Sequence, residues 1–264
     1  MTYLHALILA LVQGITEWLP ISSSAHLILF PRLVGWSDQG LGFDVAVHAG
    51  SLVAVLIYFR AELNAMARDW ARSLLTRRLN GEAGLAWAVL LGTIPVGLAG
   101  LAFKDVVETT LRDPHVLAWA LIGFGLLLWA ADRWGRRQRS EHQLTWRDVA
   151  IIGCAQALAL IPGTSRSGIT MTAGLGVGWT REAAARFSFL LAIPVIVLAG
   201  GLDAVEVARD RVHQPLDVLA VGFAASGVSA YLCIRAFLAW IARIGMTPFV
   251  AYRIVLGILL LAVF

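Results

Sequence analysis

The sequence predicts an all-α polytopic membrane protein: six transmembrane helices plus two re-entrant helix-loop-helix hairpins arranged as inverted-topology repeats. Three observations predict it. The 264-residue chain is 59% apolar and only 14% charged, with a mean hydropathy of +0.76, where a soluble domain carries about 25% charge. Six apolar runs are long enough to cross roughly 30 Å of hydrocarbon. Two further apolar regions are each interrupted by a polar, proline-bearing loop, and the two interruptions are alike at a spacing of 142 residues.

The same composition excludes a soluble cytosolic fold and a disordered chain. Twenty-five glycines and ten tryptophans suit helices packed closely in lipid, with aromatic anchors at the interfaces. Cys154 and Cys233, the two cysteines, each lie inside an apolar stretch, so they read as small apolar residues and not as a disulfide framework. The net charge of +4 comes almost wholly from arginine, Lys104 being the single lysine. Because the arginines lie between apolar segments, they read as membrane orientation and not as nucleic-acid binding.

In chain order, Tyr3–Val34 comes first, broken by Gly14, Glu17, Pro20 and Ser22-Ser23-Ser24. Each half is too short to cross, so the region reads as a hairpin that returns to the side it entered from. It is no cleaved signal, since it lacks a basic leader and carries Glu17 within its apolar part. The spans Gly42–Phe59, Ala83–Phe103 and Pro114–Ala131 follow, with a basic segment Arg60–Glu82 between the first two. A basic loop, 132–148, joins repeat one (about 1–131) to repeat two (about 149–264) within a single membrane domain. The second hairpin, Val149–Trp179, is broken by Pro162–Gly168, and the spans Phe187–Leu202, Val218–Ala242 and Pro248–Phe264 complete the chain. Irregular backbone at membrane depth survives only where protein or a water-filled cavity satisfies its polar groups.

This layout puts thirteen Lys/Arg on one side, in Arg60–Glu82, Asp132–Asp148, Thr180–Arg186 and Arg243. Four fall on the other, in Lys104–Asp113 and Asp203–Asp217, with none in Ser37–Leu41. The richer side is expected to be cytoplasmic, which leaves both termini outside. Shifting the sequence by 142 lays Leu19–Ser24 on Ile161–Arg166, and each block leads through a short return arm to three spans. Three is odd, so the second half sits upside down relative to the first. Inverted repeats with broken helices at the midplane are a plan typical of secondary transporters, and the plan alone therefore favours transport.

The residues of the two loops point to chemistry. Gln13 and Glu17 lie four apart, on one helix face, and Glu17 is the one carboxylate well inside an apolar stretch. The second loop sets Arg166 among Gly163, Thr164, Ser165, Ser167 and Gly168. A guanidinium matches phosphate oxygens, the glycines admit backbone N–H groups to an anion, and a helix N-terminus following the loop favours negative charge. With Ser22, Ser23, Ser24 and His26 nearby in the first loop, the set holds a carboxylate, hydroxyls, an imidazole and a phosphate clamp. Phosphoanhydride cleavage asks for such a set: charge neutralisation, an aligned nucleophile and a proton donor. His26 is spaced either to take a serine proton or to protonate the leaving phosphate. Glu17 and the amide oxygen of Gln13 are expected to hold a divalent cation. His48 has two open readings, lining the cavity or capping a span.

Gln13–His26, with its Gly-Ile-Thr-Glu-Trp-Leu-Pro-Ile-Ser-Ser core, and Pro162–Gly168 resemble the two signature motifs of bacterial undecaprenyl-diphosphate phosphatases, the bacitracin-resistance family. The resemblance extends through His48–Ser51, Phe187–Leu191 and Pro248–Arg253, nearly the whole chain. It implies hydrolysis of the C55 lipid diphosphate to undecaprenyl phosphate and inorganic phosphate, recycling the lipid carrier of cell-wall precursors. It further implies Mg²⁺ or Ca²⁺ as cofactor and a location in the bacterial inner membrane, with the site facing the periplasm. Glu17, His26 and Arg166 fall on the family's essential acid, imidazole and guanidinium, and Ser23 on its proposed nucleophile. Ser22, Ser24 and Gly163–Gly168 are expected to contact the phosphates. Two positions depart from the pattern: Gln13 stands where an acid is common, and Ala25 where glycine is.

The competing class is a lipid-phosphate transporter or flippase on the same scaffold, which would bind without cleaving. An intramembrane serine protease leaves Arg166 without a purpose. The other lipid phosphatase superfamily needs a Lys-x6-Arg-Pro block, and Leu111 stands seven residues after Lys104. The expected partners are a polyprenyl diphosphate and membrane lipids, with no nucleic acid. Close packing of glycine-rich spans allows a homodimer.

Overall fold

The computed structural model describes residues 1–103, 113–210 and 215–264. The expected loop Lys104–Asp113 therefore lies outside the described residues except for its last residue, as does 211–214. The described residues form eleven α-helices. They are α1 (Tyr3–Thr16), α2 (Ser23–Leu33), α3 (Leu41–Tyr58), α4 (Arg60–Thr76), α5 (Ala83–Ala102) and α6 (Pro114–Trp134), then α7 (Trp146–Ala157), α8 (Arg166–Gly176), α9 (Arg181–Asp210), α10 (Leu216–Ile244) and α11 (Thr247–Val263). Among the described residues there is no strand, only an isolated bridge between Arg139 and Trp179.

Five helices, α3, α5, α6, α9 and α10, are long and apolar enough to cross a membrane. The sixth expected span, Pro248–Phe264, forms α11, an apolar helix of 17 residues, about 25 Å long. The segment Arg60–Glu82, read from hydropathy as a loop, is largely helical. Its Met66 and Ser73 are buried at helical spacing, and Trp70 lies 5.9 Å from Trp87 of α5. Average hydropathy hides this amphipathic face because the arginines occupy the other one. Helix α9 also starts earlier than its apolar core, at Arg181. Both arginines in that first stretch are paired, Arg181 with Asp132 at 2.6 Å and Arg186 with Glu141 at 2.8 Å and with Glu62.

The two interrupted regions are helix pairs, α1–α2 and α7–α8, with members of 11 to 14 residues. Each break ends on a serine with left-handed backbone, Ser22 at φ 75° and Ser165 at φ 71°. Each of these serines caps the helix that follows, Ser22 accepting from the Ala25 N–H at 3.4 Å and Ser165 from the Gly168 N–H at 3.1 Å. Each also pairs with the serine two residues on, at 3.1 Å for Ser24 and 3.2 Å for Ser167. The structural spacing is therefore 143, one more than the sequence comparison suggests. Aligning Pro20 with Pro162 misleads because the shared demand is the capping serine, not the proline.

Packing partners are exchanged between the two halves. Helix α1 packs on α10 and α7 on α5, while α3 meets α9 and α6 meets α11. The principal core lies between the hairpins, where Trp18 meets Phe189 edge-on at 5.1 Å and Trp179 meets Phe187 at 5.1 Å.

Candidate active site

Helix α1 closes with the Thr16 hydroxyl donating to the Val12 carbonyl at 2.7 Å, and Glu17 follows as its C-cap. The Glu17 side chain is 8% exposed, and its two oxygens have different partners. Oε1 accepts from Arg166 Nη2 at 3.1 Å, and Oε2 accepts from the Ser23 hydroxyl at 2.7 Å. His48 Nε2 stands 3.6 Å from the same Oε2. Helix α8 begins at Arg166, whose Nη1 donates to the Ser188 carbonyl at 2.9 Å while the guanidinium lies 5.6 Å over the Trp18 ring. A buried ion pair is tolerable only where further contacts support it, and the Ser23 hydroxyl, the Ser188 carbonyl and the Trp18 ring supply that support. A guanidinium has five N–H donors, and two of them serve these contacts, so Arg166 keeps capacity for an anion.

Glu17, Ser24, Asp44, His48 and Arg166 line one cavity of about 860 Å³ together with α9 residues from Val195 to Glu206. It opens between the first half of α3 and the second half of α9, at the arginine-poor end. Its walls pair charged groups with Leu41, Val45, Val195 and Ile196, a mixture suited to a polar head on an apolar tail.

Glu17, Ser23 and Arg166 are thus in contact, although 149 residues separate the acid from the guanidinium. Other expectations are corrected. The Ser23 hydroxyl donates its hydrogen bond to Glu17 and not to His26. The His26 ring is held by the Ser22 carbonyl at Nδ1 (2.7 Å) and by the Tyr252 hydroxyl at Nε2 (2.6 Å), and it stacks on Tyr252. Ser24 reaches the cavity, whereas Ser22 is buried as a cap. Of the second loop, Arg166 lines the cavity, while Gly163, Thr164, Ser165, Ser167 and Gly168 are buried in the loop's own framework. Ser165 caps α8, and Ser167 donates to the Leu19 carbonyl at 2.9 Å, tying loop to loop. Gly168 leaves no room for a phosphate, since even a Cβ there would lie 2.7 Å from Arg253.

Gln13 is not beside the acid's free face. It is fully buried, its amide oxygen accepting from Ser51 at 2.9 Å and Ser226 at 2.6 Å, so that oxygen is spent on the α1–α3–α10 junction. Among the described residues no group of three or more His, Cys, Asp or Glu side chains is arranged to hold an ion. A cation here would need substrate oxygens to complete its shell, as Mg²⁺ commonly does.

Sequence reasoning missed Arg253 as part of the site's frame. This guanidinium is fully buried and donates to the carbonyls of Gly163 at 3.0 Å, Leu121 at 3.2 Å, Pro20 at 3.3 Å and Ala120 at 3.4 Å. Pro20 and Gly163 are equivalent positions at the spacing of 143, so one side chain pins both breaks. The available signal was an arginine inside an apolar run.

Fold and site together define a multi-pass, all-helical membrane protein with a buried carboxylate, hydroxyl and guanidinium at the wall of a polar cavity. The chain belongs to the bacitracin resistance protein BacA family, whose model matches residues 6–259. It is 60% identical to the undecaprenyl-diphosphatase of Nitrosococcus oceani over 264 residues, the whole of both chains. It is 58% identical to undecaprenyl-diphosphatase 2 of Stutzerimonas stutzeri over 267 residues, covering 100% of this chain and 99% of that one. To the undecaprenyl-diphosphatase of Thioalkalivibrio sulfidiphilus it is 57% identical over 265 residues, again end to end.

Proposed function

We propose that the protein hydrolyses undecaprenyl diphosphate to undecaprenyl phosphate and inorganic phosphate, which returns the lipid carrier to cell-wall polymer synthesis. The observation that carries the reading is the divided use of Glu17, with the Ser23 hydroxyl on one oxygen and Arg166 on the other. In this mechanism the diphosphate enters the cavity with its tail along the apolar residues of α3 and α9. Arg166 neutralises the terminal phosphoryl group. Ser23 Oγ attacks that phosphorus as its proton passes to Glu17 Oε2. The bond to the bridging oxygen breaks, and its electron pair leaves on undecaprenyl phosphate. Water then cleaves the phosphoserine, with Glu17 handling the proton, and releases inorganic phosphate. Mg²⁺ or Ca²⁺, bound by Glu17, would add charge neutralisation on the diphosphate.

The same reading takes α11 as a sixth crossing and α1–α2 and α7–α8 as re-entrant hairpins entering from opposite sides. The exchange of packing partners between halves and the paired capping serines support two inverted repeats. The arginine-rich end is then cytoplasmic, in the bacterial inner membrane, and the cavity opens to the periplasm.

Purified protein given a polyprenyl diphosphate and Mg²⁺ is expected to release phosphate. Glu17→Ala and Arg166→Ala should each lower kcat by about 10²-fold or more, and variants as fast as the parent would refute the site. A flippase on this scaffold would instead move the lipid across proteoliposomes without turnover.

A further inference from the structure

We propose that the divalent cation serving this site is held between Glu17 Oε2 and His48 Nε2, so that a carboxylate–imidazole pair replaces the expected Glu17–Gln13 pair. The inference rests on the cavity assigned above and adds the identity of its second ligand and the class of ion it takes.

The His48 ring is held by its own helix. Its Nδ1 lies 2.7 Å from the Asp44 carbonyl, one turn earlier on α3. A carbonyl only accepts, so Nδ1 carries the hydrogen. In the neutral ring Nε2 then presents a lone pair, and it does so 3.6 Å from a carboxylate oxygen. Two lone pairs directed at one another in a half-buried place are reconciled by a positive charge shared between them, a metal ion or a proton on Nε2. Ligating histidines characteristically donate their second nitrogen to a backbone carbonyl, and this fixes the tautomer His48 shows. The separation is close to that of a shared ion. Two ligands each about 2.1 Å from one octahedral cation stand roughly 3 Å apart, so a shift of about 0.6 Å brings this pair onto one ion. Both side chains line the cavity, so diphosphate oxygens can complete the shell. Gln13, in contrast, has its oxygen committed to two serine hydroxyls.

An imidazole ligand changes the ion's class. Oxygen-only sites suit Mg²⁺ and Ca²⁺, whereas nitrogen favours first-row transition ions. The pair is expected to prefer Mn²⁺ or Co²⁺ to Ca²⁺.

The test uses the full-length protein in detergent with Mn²⁺, alone and with methylenediphosphonate, and reads ¹⁴N couplings by electron spin-echo modulation. The parent is expected to show imidazole ¹⁴N modulation. His48→Gln should abolish it and weaken Mn²⁺ binding about tenfold or more, whereas His26→Gln should keep it. His48→Asn provides a second variant should the first fail to fold. A parent that binds no Mn²⁺ at millimolar concentration, bound Mn²⁺ without ¹⁴N modulation, or modulation that persists without His48 would each overturn the proposal. The last two would leave an imidazolium–carboxylate ion pair as the explanation of the contact. The readout is nitrogen coupling and not turnover. Mn²⁺ ligation through His48 in a protein that releases no phosphate would sink the phosphatase reading alone.

Discussion

In the proposed mechanism a single carboxylate does two jobs, because its oxygens are separately addressed. Glu17 Oε1 faces Arg166, and Oε2 faces Ser23 and His48. That division sets one oxygen against the guanidinium and the other against the hydroxyl. Glu17 and Arg166 were legible in the sequence, because an ionisable group in an apolar run is costly and marks function. Their partners were not. Gln13 finds its hydroxyls 38 and 213 residues away, and His26 finds Tyr252 at 226 residues. No local spacing carries such information. His26 illustrates the cost: nine residues from Glu17, it reads as Ser23's base, yet its Nε2 is occupied by a tyrosine hydroxyl.

At the level of elements, the two breaks are built alike and then joined. A capping serine with left-handed backbone starts each return helix, which places Ser23 and Arg166 at matching first positions of α2 and α8. The hairpins as such were legible, since proline, glycine and serine interrupt both apolar runs. Their register was off by one, because the sequence aligned prolines where the chain aligns caps. Arg253 then ties both breaks to α6, through the carbonyls of Pro20 and Gly163 on one side and of Ala120 and Leu121 on the other. Lysine offers a point charge with three donors and cannot span that set. Arg253→Lys is expected to lower stability by about 1–3 kcal/mol through unsatisfied buried carbonyls. It should also lower kcat by misplacing Arg166 relative to Glu17. Thermal unfolding in detergent and phosphate release check the two effects, and unchanged values in both would remove the staple from the account. Helix α4 marks the limit of hydropathy as a guide: its buried stripe of Met66 and Ser73 is two residues wide, too narrow to register in an average.

Over the whole molecule, arginine is divided unequally between the two ends, and the proposed orientation rests on that asymmetry. The buried carboxylates Asp132, Glu141 and Asp148 meet Arg181, Arg186 and Arg139 at the arginine-rich end. The cavity lies toward the other. Single-cysteine variants in a Cys154→Ala/Cys233→Ala background test the arrangement. A membrane-impermeant maleimide is expected to label Ser37→Cys on intact cells and Arg137→Cys only after permeabilisation. The reverse pattern would put the cavity on the cytoplasmic side.

The most direct measurement is a rapid quench, in detergent at mildly alkaline pH, of the protein with a polyprenyl diphosphate, followed by mass spectrometry of the peptides bearing Ser23 and His26. A phosphoryl group on Ser23 in the parent, absent from Glu17→Gln, is the predicted result. A phosphoryl group on His26, or a Glu17→Gln protein that accumulates phosphoserine as fast as the parent, would contradict it.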